Sequence, residues 1–182
     1  MSRILSVAAL EAIQEHAAAF PDPRSALLPA LHIAQDEVGY LPPAALEDVS
    51  QVLDIPYSDV EEVVSFYTMF YGDKVGKFVL EVCKTVPCGI LGADEIVDHI
   101  AQALNISPGE TTPDGLFTLL RVECLAGCHR APVMQVNSRY YENLTKEKVD
   151  RLIDLMRSEA RMWGDKKRET PLPARDNESA AR

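Results

Sequence analysis

The four cysteines of this chain form two close pairs, and this arrangement constrains the fold more than any other feature. Cys83 and Cys88 bound the segment CKTVPC, and Cys124 and Cys128 bound the segment CLAGC, with residues 89–123 between the pairs. Four thiolates are the ligand set of a [2Fe-2S] cluster and equally of a structural zinc ion. The pattern therefore predicts a four-thiolate metal site, and the fold must bring two distant loops together to build it.

The spacing within the pairs favours iron-sulfur and leaves zinc as an alternative. Zinc sites usually place paired cysteines about two to four residues apart on tight loops. Here the first pair would just fit that range, but the interval between the pairs is unusually long, and a four-residue loop followed by a three-residue loop suits the larger outline of a two-iron cluster. Disulfides are the next alternative, but they belong to oxidising compartments. Glu11, Gln14 and Glu15 interrupt the apolar character of the N-terminal segment, so we expect a cytoplasmic protein with reduced thiols.

Composition excludes two classes of function. The 182 residues are 47% hydrophobic, enough for one good core or for a compact domain with a smaller helical one. No apolar run approaches the roughly eighteen residues that a membrane span needs, so we expect no direct membrane insertion. The formal charge of -10 argues against nucleic acid as a partner, because phosphate binding needs clustered Lys and Arg.

Residues 1–74 read as an N-terminal helical bundle. Apolar residues recur at helical spacing in four segments, which Pro21, Gly39 and Pro43 help to separate. Ser58 and Glu61 predict a capping box at the start of the fourth helix. The aromatic run SFYTMFY at 65–71 favours core packing against the next domain, with a partner-binding surface as the alternative.

Residues 75–163 change to a mixed pattern that predicts one sheet. The segment GKFVLEVC alternates like a strand and ends in Cys83, residues 93–104 read as a helix, and FTLLRVE forms a second strand that leads to Cys124. Strand, helix and strand in that order predict a parallel crossover, which places both cysteine pairs at one edge of the sheet. Two further strands and a last helix capped by Thr145 complete a thioredoxin-like order, and residues 164–182 read as a disordered tail.

These motifs together resemble the E subunit of NADH-quinone oxidoreductase, the small [2Fe-2S] protein in the peripheral arm of respiratory complex I. The resemblance covers about residues 20–158, and it rests on GYLPP, SFYTMF, GKFVLEVCKTVPC, GETTPDGLFTLLRVECLAGCHRAPVMQVN and YYENLTKEKVDRL. It implies an α+β protein with an N-terminal helical bundle followed by a thioredoxin-like [2Fe-2S] ferredoxin domain. It also implies that one [2Fe-2S] cluster is bound by Cys83, Cys88, Cys124 and Cys128.

The same resemblance implies a function that is shared with a partner chain. None of the nine glycines forms the G-x-G-x-x-G pattern of a dinucleotide site. The family places NADH and FMN on the flavoprotein (F) subunit, whose flavin exchanges single electrons with the cluster at the cytoplasmic side of the membrane. The chain would then be an oxidoreductase subunit without a complete active site of its own. The alternatives are the equivalent subunit of an NAD-linked hydrogenase or formate dehydrogenase, and a zinc-stabilised interaction module.

Three residues near the second cysteine pair carry further expectations. His129 follows the last cysteine directly, but four thiolates already complete the site, so we expect no histidine ligand. Arg130 is expected to offset the negative charge of the site and so to ease reduction. Ala126 stands where many family members have glycine, which raises the question of what backbone conformation this loop adopts.

Overall fold

The computed structural model of the chain describes residues 3–163, and its first half is helical. Four α-helices follow one another: α1 (Val7–Ala18), α2 (Leu27–Val38), α3 (Pro43–Leu53) and α4 (Tyr57–Phe66). A short 3-10 turn, Pro23–Ala26, precedes α2. The predicted segments are therefore correct, with boundaries at the proline and glycine positions.

The predicted capping box at the start of α4 is wrong. The helix begins two residues earlier than this box requires, at Tyr57, and its N-cap is Pro56, which makes no side-chain capping hydrogen bond. The Ser58 hydroxyl instead lies 3.4 Å from the carboxylate of Asp59. Because Pro56 already has extended backbone angles that suit an N-cap, the helix starts there and Ser58 falls inside its first turn.

The bundle has its own apolar core, and the N-terminal segment is fastened to it by a buried carboxylate. Residues from all four helices form one buried cluster, which includes Ile13, Leu31 and Val49. Asp48 is buried on α3, and its Oδ2 accepts the backbone N–H groups of Ile4 at 2.8 Å and Leu5 at 3.0 Å. These two hydrogen bonds satisfy a carboxylate that would otherwise be costly to bury.

The second half contains a four-stranded sheet with helices. The strands are β1 (Phe78–Cys83), β2 (Phe117–Val122), β3 (Met134–Val136) and β4 (Arg139–Tyr141), and the helices are α5 (Val86–Ile90), α6 (Ala93–Leu104) and α7 (Lys146–Trp163). The strand order in the sheet is β2-β1-β3-β4. β1 pairs with β2 in parallel and with β3 antiparallel, and β3 pairs antiparallel with β4. The α+β class, the parallel β1 and β2 pair and the hairpin at Asn137 and Ser138 are as predicted.

This sheet and its helices enclose a second buried cluster, separate from that of the bundle. It includes Phe78, Phe117 and Met134 from the strands, Ile100 from α6 and Met156 from α7. The α7 helix begins where the Thr145 hydroxyl accepts the N–H of Lys148 at 3.2 Å, as the sequence predicts. Two separate cores agree with a division near residue 74, and the exact domain boundaries stay a prediction.

The disordered tail predicted for residues 164–182 lies outside the residues that the structure describes. Within residues 3–163, none of the helices combines the length and the apolar character that a membrane span requires.

Candidate metal centre

The first and third cysteines stand side by side because β1 and β2 run in parallel. Cys83 is the last residue of β1, opposite Val122 at the end of β2, and Cys124 follows two residues later. The N–H of Lys84 donates to the Val122 carbonyl at 2.9 Å, which extends the pairing beyond the strands. The Lys84 ammonium also lies 2.8 Å from the Glu123 carboxylate. Both cysteine loops therefore leave the same edge of the sheet as neighbours.

Cys88 is carried by α5, a one-turn helix that the sequence pattern did not predict. Thr85 occupies its N-cap, Pro87 lies in its first turn, and Cys88 is buried within it. A threonine followed closely by proline is a recognised helix start, so the signal was present in the sequence. The helix is too short for its apolar periodicity to show, and only the folded chain reveals it.

The second pair sits on an exposed loop with an unusual backbone. Cys124 and Cys128 are both exposed, and a 3-10 turn begins at Cys128. Ala126 has a positive φ of 59°, a conformation in which L-residues other than Asn and Asp are uncommon, and its N–H donates to Cys124 Sγ at 3.3 Å. The loop thus keeps the left-handed turn that glycine would adopt easily, although alanine occupies the position.

Gly127 next to it has a packing role instead of a conformational one. Its φ is -95°, which any residue adopts. A Cβ atom at Gly127 would lie 2.8 Å from Cγ2 of Val133, and real Cβ atoms do not approach that closely. Val133 is fully buried, so it has little room to move. Glycine is therefore needed at position 127, where a side chain would collide with Val133, and alanine occupies position 126.

The four sulfurs interact with one another across the two pairs. Cys83 and Cys88 share a hydrogen bond, and so do Cys124 and Cys128. Cys128 also lies within electrostatic range of both sulfurs of the first pair. The four residues singled out from the sequence are thus brought together into one group.

This group is not arranged around a single point. In residues 3–163, no set of three or more His, Cys, Asp or Glu side chains is placed to hold one metal ion. A two-iron cluster has a wider outline, and each of its irons takes two of the four protein ligands. The two cysteine pairs match this division of ligands in number, two sulfurs for each iron.

The surroundings shift the pKa values of the two buried thiols in opposite directions. Burial works to raise the pKa of Cys83, but hydrogen bonds from the Thr85 hydroxyl and from the N–H groups of Leu125 and Thr85 outweigh it and lower that pKa. Burial raises the pKa of Cys88 to about 11, with its hydrogen bond to Cys83 acting in the same direction. Cys83 therefore releases its proton more readily than an ordinary cysteine, whereas Cys88 holds its proton more tightly and must release it when it binds metal.

Cys128 is exposed, but local desolvation by neighbouring atoms and the nearby Cys124 sulfur raise its pKa as well. Such a difference in pKa is expected where several sulfurs share one site. Each negative charge opposes the next, so the loss of one proton makes the loss of a second proton harder. Bound iron removes this opposition by supplying positive charge to all four sulfurs. The donor set therefore fits a cluster that needs four thiolates.

Several residues that surround the sulfurs were not identified from the sequence. The Thr85 hydroxyl lies 3.2 Å from Cys83 Sγ. Backbone N–H groups of Leu125 and Val133 also donate to sulfur, the former to Cys83 and the latter to Cys88. Backbone donors leave no signal in the residue type, so only the folded loops show them.

His129 and Arg130, which follow Cys128, differ in their surroundings. His129 is exposed within the 3-10 turn that starts at Cys128. The Arg130 guanidinium donates to the Glu142 carboxylate at 3.0 Å. Because that carboxylate offsets the charge of Arg130, the predicted easing of reduction by Arg130 is expected to be small, and it stays a prediction.

Comparison with known proteins identifies the class. The model of the thioredoxin-like [2Fe-2S] ferredoxin family matches residues 13–157. An E subunit (number 2) of NADH-quinone oxidoreductase from Rhizobium meliloti is 45% identical over 152 residues, which cover 84% of this chain and 90% of that protein. The E subunit from Rickettsia felis is 47% identical over 132 residues, covering 72% of this chain and 79% of the relative.

A solved structure of an NAD+-reducing [NiFe]-hydrogenase in the air-oxidized state also has this fold. It superposes with a TM-score of 0.66 at 25% identity, over 75% of this chain. The matched region is only 23% of the hydrogenase chain, so the likeness concerns one part of a larger protein.

The fold and the four-thiol site therefore belong to a thioredoxin-like [2Fe-2S] ferredoxin. Within that class, the chain belongs to the family of NADH-quinone oxidoreductase E subunits. The predicted family, the thioredoxin-like fold, the [2Fe-2S] cluster and the place in an oxidoreductase complex are confirmed. The chain is an electron-transfer subunit that carries a [2Fe-2S] cluster.

Proposed function

We propose that this chain is a one-electron carrier of NADH-quinone oxidoreductase, with its cluster bound by Cys83, Cys88, Cys124 and Cys128. The observation that carries the proposal is the gathering of all four sulfurs into one group at the carboxyl edge of β1 and β2. When bound, the cluster supplies a centre that accepts and returns a single electron.

The protein residues divide the work of holding the cluster. Cys83 and Cys88 are buried and fix one side, whereas Cys124 and Cys128 are exposed and leave the other side near the surface. Hydrogen bonds to the sulfurs orient these ligands and offset their negative charge. A centre that is rigid on one side and near solvent on the other suits electron exchange with another protein.

The proposed partner is the flavoprotein (F) subunit, whose FMN takes hydride from NADH and passes single electrons onward. The names of the relatives support this assignment, because they place them in NADH-quinone oxidoreductase. Val86, Ile90 and Leu91 leave large apolar side chains exposed on and just after α5, beside Cys88. An apolar surface next to the cluster is suited to contact with a partner. We place the assembly in the peripheral arm of the complex, at the cytoplasmic side of the membrane.

Rapid-freeze electron paramagnetic resonance of the assembled complex tests the electron source. We expect the signal of this cluster to appear during turnover with NADH. A cluster that stays oxidised throughout turnover, in a complex that still oxidises NADH, would show that its electrons do not come from the flavin.

Single substitutions test the ligand set. Replacing any one of the four cysteines with serine is expected to abolish the visible absorption of the cluster or change its resonance spectrum. His129→Ala is the matched control, since His129 adjoins Cys128 and is expected to leave the spectrum unchanged. A colourless protein that holds zinc instead would support the interaction module.

A second candidate is the equivalent subunit of an NAD-linked hydrogenase or formate dehydrogenase. The structural match to an NAD+-reducing hydrogenase favours it over a zinc-stabilised interaction module. The genes that flank this one decide between the two redox complexes. Neighbours that encode the remaining subunits of NADH-quinone oxidoreductase support the first candidate, whereas a hydrogenase or formate dehydrogenase gene supports the second.

A further inference from the structure

The Thr85 side chain does not do what a threonine at its position normally does. Thr85 is the N-cap of α5, where a threonine oxygen usually accepts a backbone N–H from the first turn. Here the side chain makes no capping hydrogen bond, and its Oγ1 lies 3.2 Å from Sγ of Cys83. Thr145 at the start of α7 shows the usual behaviour, because its Oγ1 accepts the N–H of Lys148.

The direction of this hydrogen bond follows from the chemistry of the ligand. Between a free thiol and a hydroxyl, either group can donate. A metal-bound cysteine is a thiolate without a proton, so only the threonine hydroxyl can donate once the cluster is present. The contact then becomes an O–H···S hydrogen bond from Thr85 to a cluster ligand.

We propose that Thr85 is a positioning residue that raises the reduction potential of the cluster through its hydrogen bond to Cys83. The proposal rests on the proposed ligand set, because it requires Cys83 to bind iron. Its physical basis is that reduction adds one electron to a centre whose ligands already carry negative charge. A hydrogen-bond donor on a ligand sulfur stabilises the reduced state more than the oxidised state.

The surroundings of Thr85 strengthen the effect of its hydroxyl. Thr85 is only half-buried, but Cys83, which it contacts, is 2% exposed. Water has little access to the Cys83 sulfur, so few solvent hydrogen bonds compete with the one from Thr85. The backbone N–H groups that also donate to Cys83 are not removed by a side-chain substitution.

Thr85→Val is the decisive variant, because valine has nearly the same shape and lacks the hydroxyl. We expect its midpoint potential to become more negative, by roughly tenfold in the reduction equilibrium, which is about 59 mV for a one-electron couple. Thr85→Ser keeps the hydroxyl and is expected to restore the wild-type potential. The measurement is a potentiometric titration of the whole protein, followed by electron paramagnetic resonance.

Thr145→Val is the matched control for loss of a threonine hydroxyl at a helix start. It removes a true cap, so we expect a lower urea midpoint of unfolding and an unchanged potential. Thr85→Val is expected to show the opposite pattern, with a shifted potential and little change in stability.

An unchanged potential in Thr85→Val with an intact cluster overturns the proposal. If that variant does not retain its cluster, Thr85→Ala is titrated instead, and an unchanged potential there has the same meaning. Failure of the proposed ligand set is recognised separately, because Cys83→Ser would then keep the wild-type cluster spectrum.

Discussion

At the scale of single residues, the loop between the second pair of cysteines shows how two small residues take different roles. Ala126 accepts a left-handed backbone, and Gly127 makes room for Val133. A left-handed conformation costs an alanine about 1–2 kcal/mol. The cost is tolerated because the turn directs the N–H of Ala126 at Cys124 Sγ.

Substitutions at these two adjacent positions are expected to change the stability of the protein in opposite directions. We expect Ala126→Gly to stabilise the protein by about 1 kcal/mol, since the relief of backbone strain exceeds the added entropy of the unfolded chain. We expect Gly127→Ala to destabilise it by about 1–3 kcal/mol, because the new methyl group meets the buried Val133. Urea denaturation measures both values. A destabilised Ala126→Gly would show that alanine is not strained there.

Thr85 is a second case in which a single side chain matters, and its expected role differs from that of the other residues near the sulfurs. Its hydroxyl contacts Cys83, one of the proposed ligands, whereas Arg130 is engaged by Glu142. The potential of the cluster should therefore respond to Thr85 more than to Arg130. Titration of Arg130→Ala beside Thr85→Val compares the two.

At the scale of elements, β1 differs most from what its sequence pattern suggested. The alternation of Phe78, Leu80 and Val82 with Lys77, Val79 and Glu81 suggests a strand with one polar face, yet all residues of β1 are buried. β1 lies between β2 and β3, so neither of its edges is exposed, and packing covers both of its faces. Glu81 is therefore a buried carboxyl, and it accepts a hydrogen bond from the Tyr71 hydroxyl at 3.3 Å.

This buried pair predicts how stability depends on pH. Burial raises the pKa of Glu81 above its ordinary value of 4.5, and the Tyr71 hydrogen bond only partly opposes that. The folded protein thus holds this proton more tightly than the unfolded chain does. The stabilising contribution of the group is complete below pH 4.5 and is lost as the pH rises through the folded pKa.

Glu81→Gln removes the titration and keeps the side-chain size. Urea denaturation at about pH 5 and about pH 8 should show wild type losing stability relative to Glu81→Gln at the higher pH. Tyr71→Phe should lower stability at the higher pH by about 1–3 kcal/mol, because the buried carboxylate loses a hydrogen-bond donor. An equal pH dependence of wild type and Glu81→Gln would mean that Glu81 titrates normally.

At the scale of the whole molecule, the aromatic run at 65–71 is divided between core and surface. Phe70 is buried in the core of the bundle, whereas Phe66 is 76% exposed and has Tyr67 and Met69 partly exposed beside it. The expected packing of this run against the next domain is thus wrong for Phe70, which packs within its own bundle, but it holds for Tyr71, which donates to Glu81 of β1. The alternative, a surface that a partner covers, fits Phe66.

The exposed part of the run leads to a prediction about the isolated chain. We expect it to bind a hydrophobic dye and to self-associate, and Phe66→Ser to reduce both without loss of stability. Phe70→Ala is the control, since loss of a buried ring should cost about 3–5 kcal/mol. Dye fluorescence, light scattering and urea denaturation measure these effects. Unchanged dye binding in Phe66→Ser would place the binding surface elsewhere.

Much of the fold and of the site was predictable because it depends on local patterns. Helical spacing, prolines and glycines mark most helices, and alternation marks the strands that end at the cysteines. The parallel crossover then requires both cysteine pairs to lie at one edge of the sheet. The short α5 was missed because one turn is too short to show a period.

The order of elements, the four candidate ligands and the family to which they point can be read from the chain alone. Which groups surround the sulfurs can be read only from the folded protein, because backbone donors, burial and the direction of the Thr85 hydroxyl depend on the packing of the loops. The tertiary structure also decided that Glu81 is buried and that Phe66 is not. Residue type predicts a preference for water or for the core, and the packing of all the elements settles where each side chain lies.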